Sequence, residues 1–271
     1  MLVVGEPGTG RSTLARRLHA ASARAGGPLV ELDPAAIPAT LFESELFGFH
    51  AGAFTGAVAA SLGRVGQAQG GTLVLDHVED LPLEVQPKLL RLVAERRYAP
   101  LGGREAEADV RFVAIGPDDL ERRVERGGFR ADLFYRLEVI AFRLPPLRER
   151  RGELPAVVGE LLADLGERRG RSGLELSATA VAWMLEHAWP GNLRELRNVL
   201  ERALLAAEGP LLDPPPPAGL LAERPRPLRD VERDEIRRAL AWTRGRQGRA
   251  AALLGISRKA LWEKRKRFGI P

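Results

Sequence analysis

The sequence predicts an α/β fold in which helices flank a parallel sheet, followed by a helical subdomain and a small all-α domain. The first half of the 271 residues alternates short β-rich runs with segments long enough for helices. This alternation favours a parallel sheet that is covered on both faces. After the Pro145-Pro146 pair, helical spacing dominates and no clear strand interrupts it. A proline-rich segment then precedes three further predicted helices.

The individual elements follow in chain order. Strands are predicted at residues 2–4, 29–32, 72–76 and 110–115, and the first runs directly into a glycine-rich turn. Helices are predicted at 12–25, 154–168, 178–187 and 193–207. Asn192, followed three positions later by Glu195, is a capping-box variant with Asn in place of Ser or Thr. We expect this box to open the last of these helices.

The C-terminal part is separated by a linker. Residues 213–227 are rich in proline, which sustains neither a helix interior nor a central strand, so a semi-rigid linker is predicted. Helices are predicted beyond it at 228–243, 249–254 and 257–268. The expected divisions are an α/β core at 1–148, a helical subdomain at 149–212, the linker at 213–227 and a C-terminal domain at 228–271.

The composition excludes several kinds of protein. There is no cysteine, which rules out disulfides and thiolate metal sites, and the four histidines are too scattered to suggest zinc. No apolar run approaches the roughly 20 residues of a membrane-spanning helix. The N-terminus lacks the basic and apolar regions of a signal peptide. We therefore expect a cytoplasmic protein with no membrane partner.

Charge is distributed unevenly along the chain. From Arg224 to the C-terminus there are 15 Lys and Arg residues against 5 Asp and Glu, which leaves 26 basic and 31 acidic residues at positions 1–223. A basic tail on a mildly acidic body indicates nucleic-acid binding, because side chains that neutralise phosphates release counterions. On charge alone, a solvated basic surface helix is the alternative.

The turn after the first strand has the spacing of a phosphate-binding loop. Residues 5–12, GEPGTGRS, fit the pattern G-x-x-x-x-G-K-[ST] except that Arg11 takes the lysine position. The glycines would let backbone N–H groups converge on phosphate oxygens, and Ser12 would supply a hydroxyl to Mg²⁺. A guanidinium directs its donors differently from an ammonium, so weakened nucleotide binding is expected. An ordinary glycine-rich turn between a strand and a helix is the alternative.

A second acidic position ends the strand at 72–76. Asp76 would hold Mg²⁺ there, directly or through water. The next position normally carries the Glu that activates the attacking water, and this chain has His77. An imidazole can accept a proton near its ordinary pKa of about 6.5, but a displaced general base typically costs on the order of 10²–10⁴ in rate. The alternative is that His77 is a solvated or packed residue without a catalytic role.

Residues 52–57 have the sequence GAFTGA. Two glycines around Phe54 predict a mobile loop that exposes an aromatic ring, which suits a protein contact; a turn with one buried Phe is the alternative. The motif resembles the signature loop of the bacterial enhancer-binding proteins, which are sigma-54-dependent transcriptional activators. The resemblance implies an AAA+ ATPase core whose loop presses on sigma-54, with Phe54 and Thr55 at the tip. The implied contact residues are Gly52, Ala53, Phe54, Thr55, Gly56 and Ala57.

The resemblance extends over nearly the whole chain, including residues 41–48, 82–103 and 144–150. Within residues 129–137, Arg130 and Arg136 match two arginines that in the family reach the γ-phosphate of the neighbouring subunit. Such fingers can be worth about 10³–10⁵ in rate, although alone they would be interpreted as surface arginines. Residues 189–196 are similar to the sensor II motif, which places Arg194 near the nucleotide. The implied ATP-binding residues are Gly5, Glu6, Pro7, Gly8, Thr9, Gly10, Arg11, Ser12, Thr13 and Arg194.

The departures from the family pattern cluster at the implied catalytic site. Besides Arg11 and His77, Pro117 takes the sensor I position, which usually holds a polar Asn or His, and a proline side chain cannot hydrogen-bond to phosphate or water. Asp33 stands where the family usually has an Asn that restrains the catalytic Glu. The chain also begins only a few residues before the phosphate loop, which implies a fragment, a misassigned start or an activator relic. We expect weak or absent hydrolysis.

The C-terminal segment 249–262 has the pattern of a helix, a glycine-containing turn and a second helix, with Ser257 as the N-cap of the second. Ala251, Leu254, Ile256 and Leu261 have the spacing to pack the two helices together. The segment resembles the Fis-type helix-turn-helix that ends enhancer-binding proteins, and a basic helix for a protein partner is the alternative. Trp262 is expected to pack rather than to stack on bases. The implied DNA-binding residues are Ser257, Arg258, Lys259, Lys264 and Arg265, with Arg267 also free.

Two functions from different classes follow. The first is a ring, expected to be a hexamer, that hydrolyses ATP with Mg²⁺ and whose GAFTGA loops open the sigma-54 RNA polymerase complex. The second is a DNA-binding regulator without turnover that binds nucleotide as a structural ligand or competes with active activators. The GAFTGA motif, Arg130, Arg136 and Arg194 favour the first, whereas Arg11, His77 and Pro117 favour the second. Both imply binding to upstream enhancer DNA, with dimerisation through the helix-turn-helix.

Overall fold

The computed structural model describes residues 1–216, 228–243 and 245–270. The chain divides into two compact units, Met1–Pro214 and Pro215–Pro271. Most of the linker predicted at 213–227 lies outside the described residues.

The centre of the first unit is a five-stranded parallel sheet. Its strands are β1 (Leu2–Gly5), β2 (Leu29–Leu32), β3 (Thr72–Leu75), β6 (Arg111–Gly116) and β7 (Ala141–Leu144). They are arranged in the order β2-β3-β6-β1-β7, with Val4 opposite Gly116 and Gly5 opposite Leu144. Because the strands are parallel, their carboxyl ends meet at one edge of the sheet, where ligands of such sheets bind.

Helices pack on both faces of this sheet. They are α1 (Arg11–Ala20), α2 (Ala39–Phe47), α3 (Gly63–Gln67), α4 (Gln86–Glu95), α5 (Leu120–Glu125) and α6 (Ala131–Leu137). Leu73 and Leu75 join a core that includes Phe42 and Leu89, whereas Val74 joins a second core. Successive side chains of a strand point to opposite faces, so two cores confirm the predicted sheet with helices on both sides. A hairpin of β4 (Arg97–Tyr98) and β5 (Ala106–Glu107) follows α4.

The helical subdomain contains the three predicted helices. They are α7 (Leu154–Arg169), α8 (Ala178–Glu186) and α9 (Asn192–Ala206). Trp189 is buried between α8 and α9, where its Nε1 donates to the Met184 carbonyl at 2.9 Å and its ring lies 5.8 Å from that of Trp183. The subdomain also holds a pair of two-residue parallel strands, β8 (Glu175–Leu176) and β9 (Leu211–Leu212), which the sequence did not predict.

Two predictions about local structure were wrong, and one strand of the sheet was missed. The first helix ends at Ala20, not at 25, because the Ser22 hydroxyl donates to the His19 carbonyl and starts a series of turns. Strand β7 was not predicted. The capping box also differs: the N-cap of α9 is Gly191, and its N–H donates to the Glu195 carboxylate at 2.8 Å, whereas the Asn192 side chain turns elsewhere.

The second unit is all-α, as predicted. Its helices are α10 (Leu228–Trp242), α11 (Gln247–Leu253) and α12 (Arg258–Phe268). Their core contains the four predicted packing residues Ala251, Leu254, Ile256 and Leu261, together with Ile236 and Leu240 of α10. Trp262 was expected to pack, but it is 56% exposed and the Lys266 ammonium lies 5.5 Å from its ring centre.

Of the described helices, none is both long enough and apolar enough to cross a lipid bilayer.

Candidate functional site

The phosphate loop, residues 5–12, connects the end of β1 to the start of α1. Gly8 and Gly10 have φ values of 82° and 102°, a left-handed region that glycine adopts without steric cost. A side chain on Gly8 would also collide with the Gly191 carbonyl of the helical subdomain. The Thr9 hydroxyl closes the loop by donating to the Glu6 carbonyl at 2.8 Å. The backbone therefore has the conformation in which N–H groups at a helix N-terminus can receive an anion.

Arg11 is turned away from the solvent side of this loop. It is only 7% exposed, and its Nη1 donates a 2.6 Å hydrogen bond to the Gly116 carbonyl at the end of β6. That carbonyl lies beside the beginning of the loop, because Gly116 is paired with Val4. The guanidinium thus lies at the carboxyl edge of the sheet and is anchored there by the strand that precedes Pro117.

Ser12 and Asp76 lie together at this edge. The Ser12 hydroxyl donates to Asp76 Oδ2 at 2.9 Å, although 64 residues separate them in the sequence. A hydroxyl and a carboxylate are the hard oxygen donors that Mg²⁺ prefers. The structure therefore brings together the two residues that the sequence nominated for the metal, and these residues fit a magnesium–nucleotide ligand.

His77 is held between carboxylates. Its Nδ1 lies 3.2 Å from Asp33 Oδ1 and 3.7 Å from Asp76 Oδ1, and its backbone N–H donates to Asp76 at 3.0 Å. The backbone of His77 is left-handed, with φ 49°. Asp33 additionally accepts from the Ala35 N–H as the cap of a short 3₁₀ turn, which fixes its carboxylate. Asp33 and His77 therefore form a positioned pair. The sequence analysis singled out both residues but did not predict the contact between them.

Glu79 is a carboxylate that sequence reasoning missed. It belongs to the 3₁₀ turn Val78–Asp80 after β3. Within the described part of the chain its Oε2 is buried and has no hydrogen-bond partner, and it lies 3.7 Å from where a Cβ on Gly116 would be. Burial raises the pKa of Glu79, against the opposing influence of His77 and Arg11. Nothing in its spacing distinguished it from a surface carboxylate.

Asn192 joins the phosphate loop to the helical subdomain. It is fully buried, and its Oδ1 accepts from the Leu147 N–H at 2.7 Å. Its Nδ2 donates to Glu6 Oε2 at 3.2 Å and to the Pro7 carbonyl at 3.1 Å. Hydrogen bonds from Arg148, and then from Asn192, lower the pKa of Glu6. The sequence suggested Asn192 as a cap, so this role was also missed.

Arg194, which the resemblance implied as the sensor II residue, lies beside the same loop. Arg194 is exposed and, with Pro7, Asn198 and Arg202, lines a groove of about 510 Å³ along α9. The groove is next to Gly8, whose carbonyl accepts from the Leu193 N–H at 2.9 Å. Pro7 and Thr13 are exposed at the loop surface, whereas Gly5 and Thr9 are buried.

The two predicted finger arginines lie on the segment containing α6. Arg130 is exposed and forms a two-point ion pair with Asp132, with bonds of 3.0 and 2.8 Å. Arg136 is also exposed and donates to the Ala94 carbonyl at 3.2 Å.

The GAFTGA loop rests against the β4–β5 hairpin. Phe49 forms bridges to Ser61 and Leu101, and its ring lies 5.0 Å from that of Phe54. Phe54 is nevertheless 42% exposed. Gly52 N–H donates to the Ala57 carbonyl at 2.8 Å and closes the loop. Gly52, Thr55 and Gly56 are exposed, Ala53 is half-buried and Ala57 is buried.

In the second unit, the Ser257 hydroxyl accepts from the Ala260 N–H at 3.1 Å and caps α12, as predicted. Arg258 and Lys259 are exposed on the first turn of this helix. Lys264 forms an ion pair with Glu232 of α10, and Arg265 is half-buried. Of the five predicted DNA-binding residues, Arg258 and Lys259 are thus exposed, Ser257 caps the helix and Lys264 is paired within the domain.

Three family models match the chain. The model described as Sigma-54 interaction domain matches residues 1–143. The AAA+ ATPase lid domain matches residues 148–216, and the model described as Bacterial regulatory protein, Fis family, matches residues 227–268.

Individual relatives agree with these matches. The chain is 43% identical to the C4-dicarboxylate transport transcriptional regulatory protein DctD of Rhizobium meliloti (strain 1021), with 100% of this chain and 59% of that protein covered. It is 39% identical to the Regulatory protein AtoC of Escherichia coli (strain K12), with 100% and 62% covered. The chain therefore spans about three fifths of the length of these relatives.

Solved structures agree as well. NtrX from Brucella abortus in complex with ATP is 32% identical and superimposes with a TM-score of 0.73 over 99% of this chain and 63% of that one. A five-stranded parallel sheet with a phosphate loop, a helical lid and a helix-turn-helix are thus found together in one chain. The chain belongs to the bacterial sigma-54-dependent transcriptional activators.

Proposed function

We propose that the chain is a sigma-54-dependent transcriptional regulator that binds ATP and upstream DNA and contacts sigma-54 RNA polymerase through the GAFTGA loop. The observation that carries the proposal is this loop, which is complete and exposes Phe54 and Thr55. A half-exposed aromatic ring on a loop with glycines at both ends suits a protein contact. As a regulator of bacterial transcription, the protein would act in the cytoplasm.

The nucleotide would lie at the carboxyl edge of the sheet. The backbone from Gly5 to Thr13 would receive the phosphates, and Arg194 would approach from the helical subdomain. Ser12 and Asp76 would hold Mg²⁺, which supplies charge neutralisation of the phosphate oxygens when it is bound. In NtrX from Brucella abortus, a relative with the same architecture, complexes with ATP and with ADP have been solved.

The assembly would complete the site. Arg130 and Arg136 are exposed, and their side chains hydrogen-bond to Asp132 and to the Ala94 carbonyl. They would act on the nucleotide of a neighbouring copy in a ring, which we propose to be a hexamer. Arg130 would have to leave Asp132 for this contact. The exposed basic side chains of α12 would contact enhancer DNA, with the helix-turn-helix units acting in pairs.

A second candidate is the same regulator without turnover. It is favoured by the position of His77, whose Nδ1 is engaged by Asp33, and by Arg11, whose guanidinium is bound to the Gly116 carbonyl. Neither the usual glutamate nor a polar sensor I side chain is present. Nucleotide would then serve as a structural ligand.

The loop contact is tested by binding of purified sigma-54 to the full chain, measured by fluorescence anisotropy with labelled sigma-54. Phe54→Ala should weaken binding by about tenfold or more, since buried aromatic anchors dominate interfaces. Val58→Ala, on the same segment and 91% exposed, is the matched control and should leave the affinity unchanged. Equal affinities for Phe54→Ala and the parent chain would remove the loop contact from the proposal.

The choice between the two candidates is tested by steady-state ATP hydrolysis and nucleotide binding on one sample. Turnover that Asp76→Ala abolishes would support the motor. Binding without turnover would support the second candidate, and His77→Glu should then raise hydrolysis if the missing carboxylate is the limiting defect. Absence of nucleotide binding would contradict both forms of the ATP proposal.

A further inference from the structure

The backbone and the side chain of Arg11 lie in different parts of the site. Its backbone belongs to the phosphate loop, whereas its guanidinium is bound to the last residue of β6 through the 2.6 Å hydrogen bond to Gly116. An arginine has five N–H donors in a rigid planar fork, and this hydrogen bond uses one. A lysine ammonium is a single point and lacks a second, fixed set of donors. The fork can therefore remain attached to β6 and still offer donors to another acceptor.

The anchor lies where a bound phosphate would be close. Gly116 is paired with Val4, the residue before the phosphate loop. Both residues are at the carboxyl edge of the sheet that also carries Ser12 and Asp76. The guanidinium therefore remains within the candidate site, at the end of β6.

The residue after the anchor cannot act in its place. Pro117 has neither a polar side chain nor a backbone N–H, so it offers no donor to a phosphate. The end of β6 receives a donor group from Arg11 instead. Two departures from the family pattern are therefore linked, because Arg11 supplies a hydrogen-bond donor at the position where Pro117 has none.

The charged groups around Arg11 leave its guanidinium able to bind an additional acceptor. Glu79 Oε2 faces the same glycine and, among the described residues, no group hydrogen-bonds to it. Arg11 opposes the rise in the pKa of Glu79, but no ion pair between the two side chains fixes the guanidinium in the described part of the chain. In the described residues, the fork is held by one hydrogen bond to a neutral carbonyl, which leaves its charge available for an anion.

We propose that Arg11 is both the phosphate-binding cation and the γ-phosphate sensor of this chain, anchored to Gly116 while its remaining donors contact the terminal phosphate of a bound nucleoside triphosphate. The proposal rests on nucleotide binding as proposed above. It makes Arg11 the residue that distinguishes a triphosphate from a diphosphate and reports the difference to β6.

The test is a double-mutant cycle on nucleotide affinity that requires no hydrolysis. Affinities for ADP and for the β,γ-imido analogue of ATP are measured by calorimetry with Mg²⁺ on the full chain, and the ratio is the readout. The parent chain should prefer the triphosphate by about tenfold or more, the range of one charge-assisted hydrogen bond. Arg11→Lys should reduce this preference to about threefold or less, and the double variant with Pro117→Asn should restore it.

Pro117→Asn alone distinguishes the alternatives. If Arg11 already fills the sensor role, this variant should leave the ratio within about twofold, and the two substitutions should be strongly non-additive. Arg16→Lys, an exposed arginine of the same helix paired with Glu31, is the matched control and should change nothing. Thermal unfolding of each variant excludes a folding defect, and Pro117→Asn keeps the test valid if Arg11→Lys does not fold.

Two outcomes would overturn the proposal. If Arg11→Lys keeps or increases the triphosphate preference, Arg11 acts as a point charge only. If Pro117→Asn raises the preference equally in both backgrounds, the two positions are independent. A parent chain that binds neither nucleotide would contradict nucleotide binding itself, and that result is distinguishable because the ratio could not then be measured for any variant.

Discussion

Replacing Asn192 by alanine should destabilise the first unit more than most single substitutions. The side chain accepts from the Leu147 N–H at 2.7 Å and donates to Glu6 and Pro7 at 3.2 and 3.1 Å, in a fully buried position. Removing it leaves a buried backbone N–H without an acceptor, which costs about 1–3 kcal/mol. The backbone of Asn192 is left-handed, with φ 50°. Alanine tolerates this region less well than asparagine, which adds about 1 kcal/mol.

The expected total is about 3 kcal/mol, or a fall of about 6–12 °C in the unfolding temperature of a unit of this size. Intrinsic tryptophan fluorescence during heating is a suitable assay, because Trp183 and Trp189 are buried in this unit, 7% and 1% exposed, whereas Trp242 and Trp262 are exposed in the other. Asn192→Gly is the matched control. It removes the same hydrogen bonds without the left-handed penalty, so it should be less destabilised by about 1 kcal/mol.

The reasoning would be refuted by an Asn192→Ala variant that unfolds within 1–2 °C of the parent, roughly the shift for 0.5 kcal/mol. An Asn192→Gly variant that is the less stable of the two would refute the backbone contribution alone.

Three further predictions concern other sites. Because burial raises the pKa of Glu79, the folded chain loses stability as pH rises from the ordinary glutamate pKa through the raised one. Glu79→Gln should therefore be more stable than the parent chain at pH 8 in urea titrations, and this difference should shrink as the pH falls towards 4. Phe49→Ala should release the Phe54 ring and speed chymotrypsin cleavage at Phe54 about fivefold, since such ring pairs contribute about 1 kcal/mol; an unchanged rate would show that the pair does not restrain the loop. Arg258→Ala should weaken binding to a labelled DNA duplex and reduce the salt slope by about 1 if it contacts a phosphate, whereas Arg238→Ala, exposed and paired with Glu235, should leave both unchanged.

Sequence reasoning succeeded where side-chain periodicity and turn chemistry agree. The strands at 29–32 and 72–75 and the phosphate loop between β1 and α1 follow directly from apolar runs bounded by glycines. Strand β7 was missed because it is an edge strand with alternating burial that ends directly before the Pro145-Pro146 pair. The two-residue strands β8 and β9 carry too few side chains to give any periodic signal.

The sequence nominated individual residues of the candidate site but not the contacts between them. Ser12 and Asp76 were nominated separately, and the structure places them 2.9 Å apart. The sequence could not show that Arg11 reaches the Gly116 carbonyl, because that bond joins residues 105 positions apart. Glu79 was missed for the same reason: its burial depends on a neighbouring strand and not on its own local pattern.

The contact between Gly8 and Leu193 has a mechanical consequence. The Leu193 N–H is bound to the Gly8 carbonyl at 2.9 Å, so the first turn of α9 is fastened to the phosphate loop. With 15 residues, α9 extends about 22 Å from this point. A rotation of α9 by about 10° about its first turn would therefore displace Ala206, at the other end of the helix, by about 4 Å. Movements too small to break a hydrogen bond at the loop become displacements that a pair of distance probes can record.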